Sequence, residues 1–318
     1  MPSRRAVLAL STSSILTRPA AAQGAGTHRL VIPFPPGGTM DNVARQMAPA
    51  VQAEIGQTVV IENRPGGGTV IGTEAVSRAA PDGQTTLMVA NSFLINGSMQ
   101  PNLTYDPLRD FRPIALLTVV PHVLVVTPAV AQDFTGFLAA ARRPGPGLSF
   151  GSYGNGTSNH LGAEQLKILA RLNATHVPYR GAAQAYTDLF AGRVEFMFMN
   201  EPDVAQPTRA GQIRPLAIAA PQRSSRMSEV PTLAELGFGQ VLSDTWFGVV
   251  APAAVPAPIA ARLSAAWLAA LAKQEVAARL TDQAFSILGV GADAFGARMR
   301  RDFATYAEVI RTANVRTD

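Results

Sequence analysis

Short apolar runs alternate with stretches of helical periodicity along most of the chain. Strands are predicted at residues 29–34, 58–61 and 85–90. Helices are predicted at residues 39–55 and 70–79, and in the first of them apolar side chains recur at every fourth position. Because strands alternate with helices, we expect a parallel sheet covered by helices on both faces. The carboxyl ends of such strands share one edge, where ligands bind.

A second block of the same kind occupies the middle of the chain. Strands are predicted at residues 148–150, 174–178, 194–199 and 215–219. Helices are predicted at residues 158–172 and 182–191. Two further apolar segments flanked by proline, 122–127 and 246–251, bracket the block, and two amphipathic helices at 258–271 and 292–311 follow it.

The order of these blocks predicts two α/β lobes joined by two crossing strands. We expect residues 23–124 and 248–318 to form the first lobe, and residues 125–247 to form a second lobe inserted into it. A chain of 318 residues, 47% of them hydrophobic, is long enough for two cores. A cleft between lobes joined in this way suits hinge closure on a small ligand.

The segment PFPPGGTMD, residues 33–41, connects the first predicted strand to the first helix. Gly37 and Gly38 let the backbone approach a ligand, and the free N–H groups of the following helix favour an anion. Thr39 is a candidate cap for that helix. Asp41 would repel an anion but suits the helix dipole, so we expect it to organise the loop. An ordinary strand–helix turn is the alternative interpretation.

The segment GSYGNGTSNH, residues 151–160, is a second glycine-rich loop between a strand and a helix. Its hydroxyl groups and helix amides suit a carboxylate. It lacks both the third glycine of a dinucleotide fingerprint and a Gly-Lys-Ser/Thr sequence, so no nucleotide cofactor is expected. Two roles are open for His160, a ligand contact or a packed or capping histidine. Arg180 is open in the same way, as an anion partner or a solvated surface arginine, and Asn91 and Ser92 form a further polar strand end.

Residues suited to catalysis are sparse. The sequence GLSFG, residues 147–151, matches the G-x-S-x-G pattern, but Ser149 falls within a strand instead of between a strand and a helix. The four histidines have no metal-ligand spacing and cysteine is absent, so we expect neither a metal nor another cofactor. A binding protein without enzymatic activity is favoured, and a secreted hydrolase that uses Ser149 or Ser152 is the alternative.

The first 22 residues have the order of a cleaved export signal. Arg4 and Arg5 precede an apolar run at residues 6–16, and three alanines at 20–22 supply the cleavage site. The apolar run is too short to span a membrane. The paired arginines weakly resemble a twin-arginine signal, so both secretion routes stay open. Three of the arginines behind the net charge of +5 lie in this segment, and the others are scattered, which argues against nucleic acid as a partner.

From about residue 29 to its end, the chain resembles the Bug-type receptors, the periplasmic substrate-binding proteins of tripartite tricarboxylate transporters. The resemblance is specific because many motifs occur in order. They are VIPFPPGGTMDNVAR, VVIENRPGGGTVIGTEAV, PDGQTTLMVA, YDPLRDFRPIALL, GSYGNGTSNHLGAE, HVPYRGAAQAYTDLFAGRVEFMF, GQIRPLAIAAPQRS, VPTLAELGF and WFGVVAP.

The resemblance implies a type II periplasmic-binding fold, with two α/β lobes, a hinge and a ligand cleft between the lobes. The implied function is capture of a small organic carboxylate, either a di- or tricarboxylate or an aromatic acid, by a monomer in the bacterial periplasm. The implied partners are the membrane subunits of a tripartite transporter, and a signalling partner is the alternative. The residues expected to bind the ligand are Phe34, Gly37, Gly38, Thr39, Ser92, Ser152, Asn155, Thr157, Ser158, His160, Tyr179 and Gly181.

The sequence departs from the family at the end of one strand in the second lobe. The family usually carries an aspartate there, and this chain has Met199, followed by Asn200 and Glu201. Because that carboxylate can face an amine or hydroxyl of the ligand, its loss makes an amino acid a weaker candidate and a less polar carboxylate a stronger one. Glu201 is the residue that would compensate.

Overall fold

The computed structural model describes residues 26–100, 102–241, 243–313 and 315. The predicted export signal at residues 1–22 lies outside the described residues. Within them, no helix combines the length and the apolar character that crossing a membrane requires.

Strands and helices alternate through most of the described chain. The strands are β1 (Thr27–Ile32), β2 (Thr58–Asn63), β3 (Thr85–Val89), β4 (Phe111–Val126), β5 (Leu148–Ser152), β6 (Ala174–Pro178), β7 (Phe196–Asn200), β8 (Arg214–Ile218), β9 (Asp244–Pro252) and β10 (Ser286–Gly291). The helices are α1 (Thr39–Ile55), α2 (Val70–Ser77), α3 (Ser92–Met99), α4 (Phe134–Ala141), α5 (Ser158–Ala170), α6 (Ala182–Phe190), α7 (Ala205–Arg209), α8 (Ala257–Ala272), α9 (Gln274–Asp282) and α10 (Ala292–Ala313). Short 3₁₀ turns occupy Gly67–Thr69 and Glu201–Asp203.

The strands form a continuous, curled sheet in the order β2-β1-β3-β9-β4-β7-β5-β6, with β8 and β10 also paired to β4. The 16 residues of β4 belong to both halves of this sheet. Its segment 111–121 pairs with β9, and its segment 122–126 pairs with β7. One strand therefore passes directly from the first lobe into the second, and the lobe boundaries at 124 and 248 stay a prediction.

The sheet is parallel within each strand–helix block, as expected, but antiparallel at the crossing strands. The three strands β1, β2 and β3 are parallel, as are β5, β6 and β7. However, β9 runs antiparallel to both β3 and β4, and β4 runs antiparallel to β7, β8 and β10. The direction reverses because a chain that leaves the first lobe on one strand and returns on the next must run in opposite directions on the two.

Hydrophobic side chains fill both faces of each half of the sheet. On β1, Leu30 and Ile32 pack into one core cluster, and Val31 packs into another on the opposite face. On β7, Phe198 and Met199 are likewise divided between two clusters of the second lobe. This alternation follows from the period of two along a strand. The result is the predicted fold, two α/β lobes each with a buried sheet.

The apolar patterns located most of these elements. Helix α1 spans the predicted residues 39–55, and β6 spans the predicted 174–178. Helices α3, α4, α7 and α9 and strand β10 were not predicted, and β4 begins eleven residues before the predicted segment at 122. Its first half contains Pro113, beside which the pairing with β9 shifts register. Proline breaks a strand pattern in the sequence, yet a bulge can accommodate it.

Candidate functional site

Loops at the carboxyl ends of several strands enclose a cavity of about 110 Å³ between the lobes. The lining comes from the loops after β1, β3, β5 and β6, from the end of β7 and from the crossing strand β9. The lining residues are Phe34, Pro35, Pro36, Gly38, Thr39, Met40, Ala90, Ser92, Tyr153, Thr157, Ser158, Gly181, Ala182, Ala183, Gln184, Asn200, Thr245 and Phe247.

Four helices begin at this cavity. The helices α1, α5 and α6 are preceded by Gly38, Thr157 and Gly181, and none of these three cap residues uses a side chain to bond a helix N–H group. Helix α3 begins at Ser92, which also lines the cavity. The start of a helix carries unsatisfied N–H groups and partial positive charge. Four of them around one cavity create a strongly favourable place for negative charge.

The lining carries no side chain of the Asp, Glu, Lys, Arg or His type. Its polar side chains are hydroxyl and amide groups, such as those of Thr39, Ser158 and Asn200, and Phe34 and Phe247 are among its apolar ones. An anion in this cavity would therefore be held by helix amides and neutral donors instead of by a charged side chain. The same wall offers apolar contact to the uncharged part of a ligand.

Asp41 holds the loop of residues 33–41 from its helical side. Its carboxylate accepts hydrogen bonds from the Gly37 backbone N–H at 2.9 Å, from Arg45 Nε at 2.8 Å and from Asn63 Nδ2 at 3.0 Å. Asn63 Nδ2 also donates to the Phe34 carbonyl at 3.0 Å. Burial alone would raise the pKa of Asp41, but these hydrogen bonds outweigh it and lower the pKa. The loop is thus built around an ionised carboxylate that does not line the cavity.

Asn159 holds the loop of residues 151–160, and the sequence did not single it out. It is fully buried, and its Oδ1 accepts from Thr157 Oγ1 at 2.6 Å and from the His160 N–H at 3.0 Å. Its Nδ2 donates to the Phe198 carbonyl on β7 at 3.3 Å. A neutral amide therefore occupies in this loop the place that the Asp41 carboxylate has in the first one.

A pair of stacked histidines supports the same loop from beneath. The rings of His160 and His176 lie 3.9 Å apart, and His176 Nε2 is 2.7 Å from the buried Ser152 Oγ. Burial lowers the pKa of His176 to about 3, and the adjacent His160 contributes in the same direction. His176 is therefore neutral at physiological pH.

Hydrogen bonds also join the two lobes beside the cavity. Thr39 Oγ1, at the start of α1, donates to Asp203 Oδ2 at 2.9 Å and accepts from Asn200 Nδ2 at 2.8 Å. Tyr186 OH donates to the same Asp203 oxygen at 2.6 Å. Burial raises the pKa of Asp203, and the two hydrogen bonds only partly offset this. Thr39 follows β1 and its partners follow or end β7, so these bonds join the two sides of the cavity.

Seven of the twelve predicted binding residues line the cavity. They are Phe34, Gly38, Thr39, Ser92, Thr157, Ser158 and Gly181.

The other five lie outside the lining for identifiable reasons. Gly37 donates its N–H to Asp41, Ser152 and His160 are buried in the support of their loop, and Tyr179 OH donates to Asp188. The Asn155 carbonyl faces Gly68 of the first lobe. Spacing in the sequence pointed to loops that border the cavity, but it did not show which of their side chains turn toward it.

Met199 does not occupy the position expected of a residue that faces a ligand. Its side chain is fully buried in a core cluster, and Asn200, the next residue, lines the cavity instead. Glu201 is also buried and lies outside the lining, where its carboxylate accepts from Ser224 Oγ. The reasoning from Met199 to the type of ligand therefore fails, because side chains alternate along β7.

Other candidate residues are engaged elsewhere. Arg180 is exposed and outside the lining. Asn91 bonds Asp244 and Tyr306 through its Nδ2. Ser149 lies within β5, away from any helix start, and its Oγ donates to Glu195. No group of three or more potential metal ligands occurs in the part of the chain that the structure describes.

Several lining residues were not predicted. They are Met40, Tyr153, Gln184, Asn200, Thr245 and Phe247 among others. Asn200 could have been found, since it is a polar residue directly after an apolar strand. Thr245 and Phe247 lie within the crossing strand β9 and carry no local signal.

Two lobes with an uncharged cavity between them and four helix starts around it are the arrangement of a solute-binding receptor of the periplasmic type. A family model described as tripartite tricarboxylate transporter family receptor (TctC) matches residues 43–312. The chain therefore belongs to that family, and the resemblance to the Bug-type receptors is confirmed.

Curated relatives agree with this assignment. A protein from the tcbD–tcbE intergenic region of Pseudomonas sp. (strain P51) is 39% identical over 275 residues, which cover 85% of this chain and 81% of the relative. Protein BugT of Bordetella pertussis is 37% identical over 227 residues, 70% of each chain.

Solved structures have the same fold. The periplasmic binding protein BugD superposes with a TM-score of 0.87 at 28% identity, over 92% of this chain and 99% of BugD. MatC from Rhodopseudomonas palustris with bound malate gives 0.85 at 29% identity, over 89% and 98%. Rpa4515 from R. palustris with adipate gives 0.86 at 29% identity, over 91% and 98%.

Proposed function

We propose that this protein is an extracytoplasmic receptor that binds a small organic carboxylate between its lobes and delivers it to a tripartite tricarboxylate transporter. The observation that carries the proposal is the convergence of four helix starts on a cavity without charged side chains. Such a site favours an anion through amides and helix dipoles. The ligand is released unchanged.

The lining favours a carboxylate whose remaining atoms are apolar. MatC and Rpa4515 hold malate and adipate, both of which carry two carboxylates. In this chain Phe34, Met40 and Phe247 line the cavity together with two prolines. Burial of apolar ligand surface against them contributes about 25 cal/mol for each Å². An aromatic or short aliphatic acid therefore fits this wall better than a hydroxylated tricarboxylate.

We assign the two ends of the ligand to the two glycine-rich loops. Gly38 and Thr39 at the start of α1 would hold one carboxylate, with Asp41 organising their loop. Thr157 and Ser158 at the start of α5 would hold the other end, and the remaining lining residues would enclose the body of the ligand. Closure of the residues 125–247 lobe onto the other would then exclude water from it.

The cellular setting follows from the family and from the first residues of the chain. Residues 1–22 would direct export and be removed, so that a monomeric receptor acts in the periplasm. The receptor would then present its ligand to the two membrane subunits of the transporter. Binding of the closed receptor, and not of the open one, to those subunits would make delivery depend on the ligand.

A thermal-shift screen tests the ligand class. Benzoate, adipate, malate and citrate are compared with glucose and with an amino acid such as glutamate. A ligand at 100 times its dissociation constant stabilises the folded protein by about 2.7 kcal/mol. We expect at least one of the carboxylates to raise the melting temperature. Stabilisation by glucose with no response to any carboxylate would refute the proposal.

Gly38→Val tests the position of the ligand. A Cβ atom at residue 38 would meet only the Pro35 carbonyl, at 4.0 Å, so we expect the fold to tolerate a side chain there. Because Gly38 lines the cavity, valine would occupy the space next to the α1 amides. We expect an unchanged melting temperature without ligand and loss of the ligand-induced shift. Retained affinity would show that the ligand does not approach this loop.

A further inference from the structure

A buried histidine lies at the point where the chain crosses between the lobes. His122 is the β4 residue at which pairing changes from β9 to β7, and it is completely inaccessible to solvent. Its Nδ1 lies 2.7 Å from Ser243 Oγ, and its Nε2 lies 2.7 Å from Thr245 Oγ1. These hydroxyl groups flank the start of β9, the second crossing strand. One imidazole therefore contacts both crossings.

The contacts continue from His122 into the ligand cavity. Thr245 Oγ1 lies 3.2 Å from Ser158 Oγ, the first residue of α5. Thr245 and Ser158 line the cavity, whereas Ser243 and His122 do not. All four residues are less than a tenth exposed, so bulk water does not compete for these bonds. They form a chain of four polar groups, Ser243–His122–Thr245–Ser158, which we call the hinge relay.

Neutral imidazole gives the hinge relay a direction. Burial lowers the pKa of His122 to about 3, although a hydrogen bond with the Asn200 side chain opposes this, so the ring has one N–H donor and one bare acceptor nitrogen at neutral pH. If Nε2 carries the proton, His122 donates to Thr245, Thr245 donates to Ser158, and the Ser158 hydroxyl is free to donate into the cavity. If Nδ1 carries the proton, Thr245 donates to His122 and Ser158 donates to Thr245. Ser158 then presents only lone pairs to the cavity.

These two arrangements differ in the charge that they accept. A hydroxyl that donates to a carboxylate makes a charge-assisted hydrogen bond, whereas lone pairs directed at it repel it. We propose that His122 is a positioning residue for the ligand, and that with a carboxylate in the cavity it carries its proton on Nε2 and thereby turns the Ser158 hydroxyl toward the anion. This inference rests on the proposed function.

The tautomer is observed directly by NMR. Protein labelled with 15N at histidine is recorded without ligand and with benzoate or adipate, whichever of the two shifts the melting temperature more. His122 is assigned by the signals that disappear in a His122→Gln variant. We expect protonated Nε2 and bare Nδ1 in the loaded protein. A proton on Nδ1 in that state would overturn the inference while the proposed function stands.

A matched pair of variants tests the effect on affinity. In Ser243→Ala, the partner of Nδ1 is lost although Ser243 does not line the cavity. Because the Ser243 hydroxyl can bond Nδ1 in either tautomer, only the cooperative strengthening of the loaded relay is lost, and we expect affinity for the same acid to fall about twofold to threefold. The control is Thr118→Val, since Thr118 is a buried hydroxyl on the same strand β4 with no hydrogen-bond partner among the described residues. Its affinity should be unchanged.

The outcomes separate the two proposals. An affinity that is equal in Ser243→Ala and in the parent protein would overturn the hinge relay alone. If neither benzoate nor adipate stabilises the parent protein, the proposed function fails for these acids, and the inference that rests on it falls with it. A lower affinity in Ser243→Ala combined with bare Nδ1 would support the relay by two independent measurements.

Discussion

The two glycine-rich loops occupy equivalent places in the two lobes but are held by opposite means. The loop of residues 33–41 is organised by the ionised carboxylate of Asp41, which is paired with Arg45. The loop of residues 151–160 is organised by the neutral amide of Asn159 and supported by neutral His176. Each loop nevertheless delivers a helix start to the same cavity.

The difference follows from where solvent reaches each loop. Arg45 is about half exposed, with 52% of its side-chain surface accessible, so the ion pair keeps much of its hydration. Asn159 is fully buried, where a charge without a partner would cost several kcal/mol. A receptor for anions also gains from keeping carboxylates out of its cavity wall. A charged group is thus used only on the side of the loop that water reaches.

Replacing the organising residue of each loop by the acid or amide counterpart should have the largest effect on stability. In Asn159→Asp, the Phe198 carbonyl loses its N–H donor, and a carboxylate replaces the neutral acceptor of the Thr157 hydroxyl in a fully buried place. We therefore expect the free energy of unfolding at pH 7 to fall by about 3 kcal/mol. Asp41→Asn turns one NH₂ group toward a neighbouring donor, but half-exposed Arg45 can rotate into water, so we expect a smaller loss of about 2 kcal/mol. Urea unfolding measures both. Equal losses would mean that charge does not distinguish the loops.

A methyl group added to each loop should reduce ligand affinity far more in the loop of residues 151–160 than in the loop of residues 33–41. Gly37 and Gly156 both have positive φ, 84° and 73°, so alanine at either position costs about 1 kcal/mol of backbone strain. At Gly37 the added atom meets nothing within 4 Å, but at Gly156 it would lie 2.1 Å from Asn96 Oδ1 of the first lobe. Gly156→Ala should therefore prevent full closure and weaken ligand binding on the order of 100-fold.

Calorimetric titration with the acid found in the screen measures this difference. Gly37→Ala serves as the control for strain and should lose much less affinity than Gly156→Ala. The Asn96 side chain is held in place, because its Nδ2 donates to the Gly68 carbonyl and to Thr69 Oγ1. Similar affinities for the two variants would indicate that the lobes need not meet at residue 156.

As the pH is lowered, the support of the loop of residues 151–160 should lose its stabilising effect at a higher pH than that of the loop of residues 33–41. The pKa of His176 is about 3 in the folded protein and near 6.5 in the unfolded chain. Between these two pH values the unfolded chain binds more protons than the folded protein, so the free energy of unfolding falls as the pH falls. After allowance for its partial exposure, the loss by pH 4.5 is about 2 kcal/mol. The pKa of Asp41 is also lowered, so its contribution persists above its ordinary pKa and is lost only below it.

Urea unfolding at pH 7.0 and 4.5 tests this order. His176→Gln should reduce the drop in unfolding free energy between the two pH values, although buried His28 and His122 keep part of it. Asp41→Asn should leave that drop nearly unchanged. A larger change in Asp41→Asn than in His176→Gln would reverse the comparison.

The smallest effect is expected from the exposed partner of Asp41. Arg45 is one helical turn from Asp41 and half exposed, and such pairs contribute about 0.3–0.5 kcal/mol. Arg45→Gln should therefore lower the unfolding free energy by less than 0.5 kcal/mol, and 0.5 M salt should remove most of that difference. A loss above 1 kcal/mol would show that the first loop depends on the ion pair as much as on its hydrogen bonds.

The sequence allowed prediction of what local periodicity controls. Helix α1 follows from apolar residues at every fourth position, and both glycine-rich loops follow from their places between strand and helix. Contacts between distant residues left no such signal. Ser152 turns away from the cavity because it bonds His176, and Thr245 and Phe247 reach it from β9, far along the chain. The prediction that position 199 faces the ligand was wrong, because only the pairing of β7 in the sheet shows which of its side chains point toward the cavity.

Strand β9 has a consequence for the order of folding. It lies between β3 and β4 in the sheet, yet residues 127–243 separate it from β4 in the chain. The first lobe therefore lacks a central strand until the inserted segment has emerged, whereas the strands β5, β6 and β7 are close in sequence and need only short loop closures. We expect the inserted lobe to acquire its structure first during synthesis or translocation, and the lobe that contains the amino-terminal strand to be completed last.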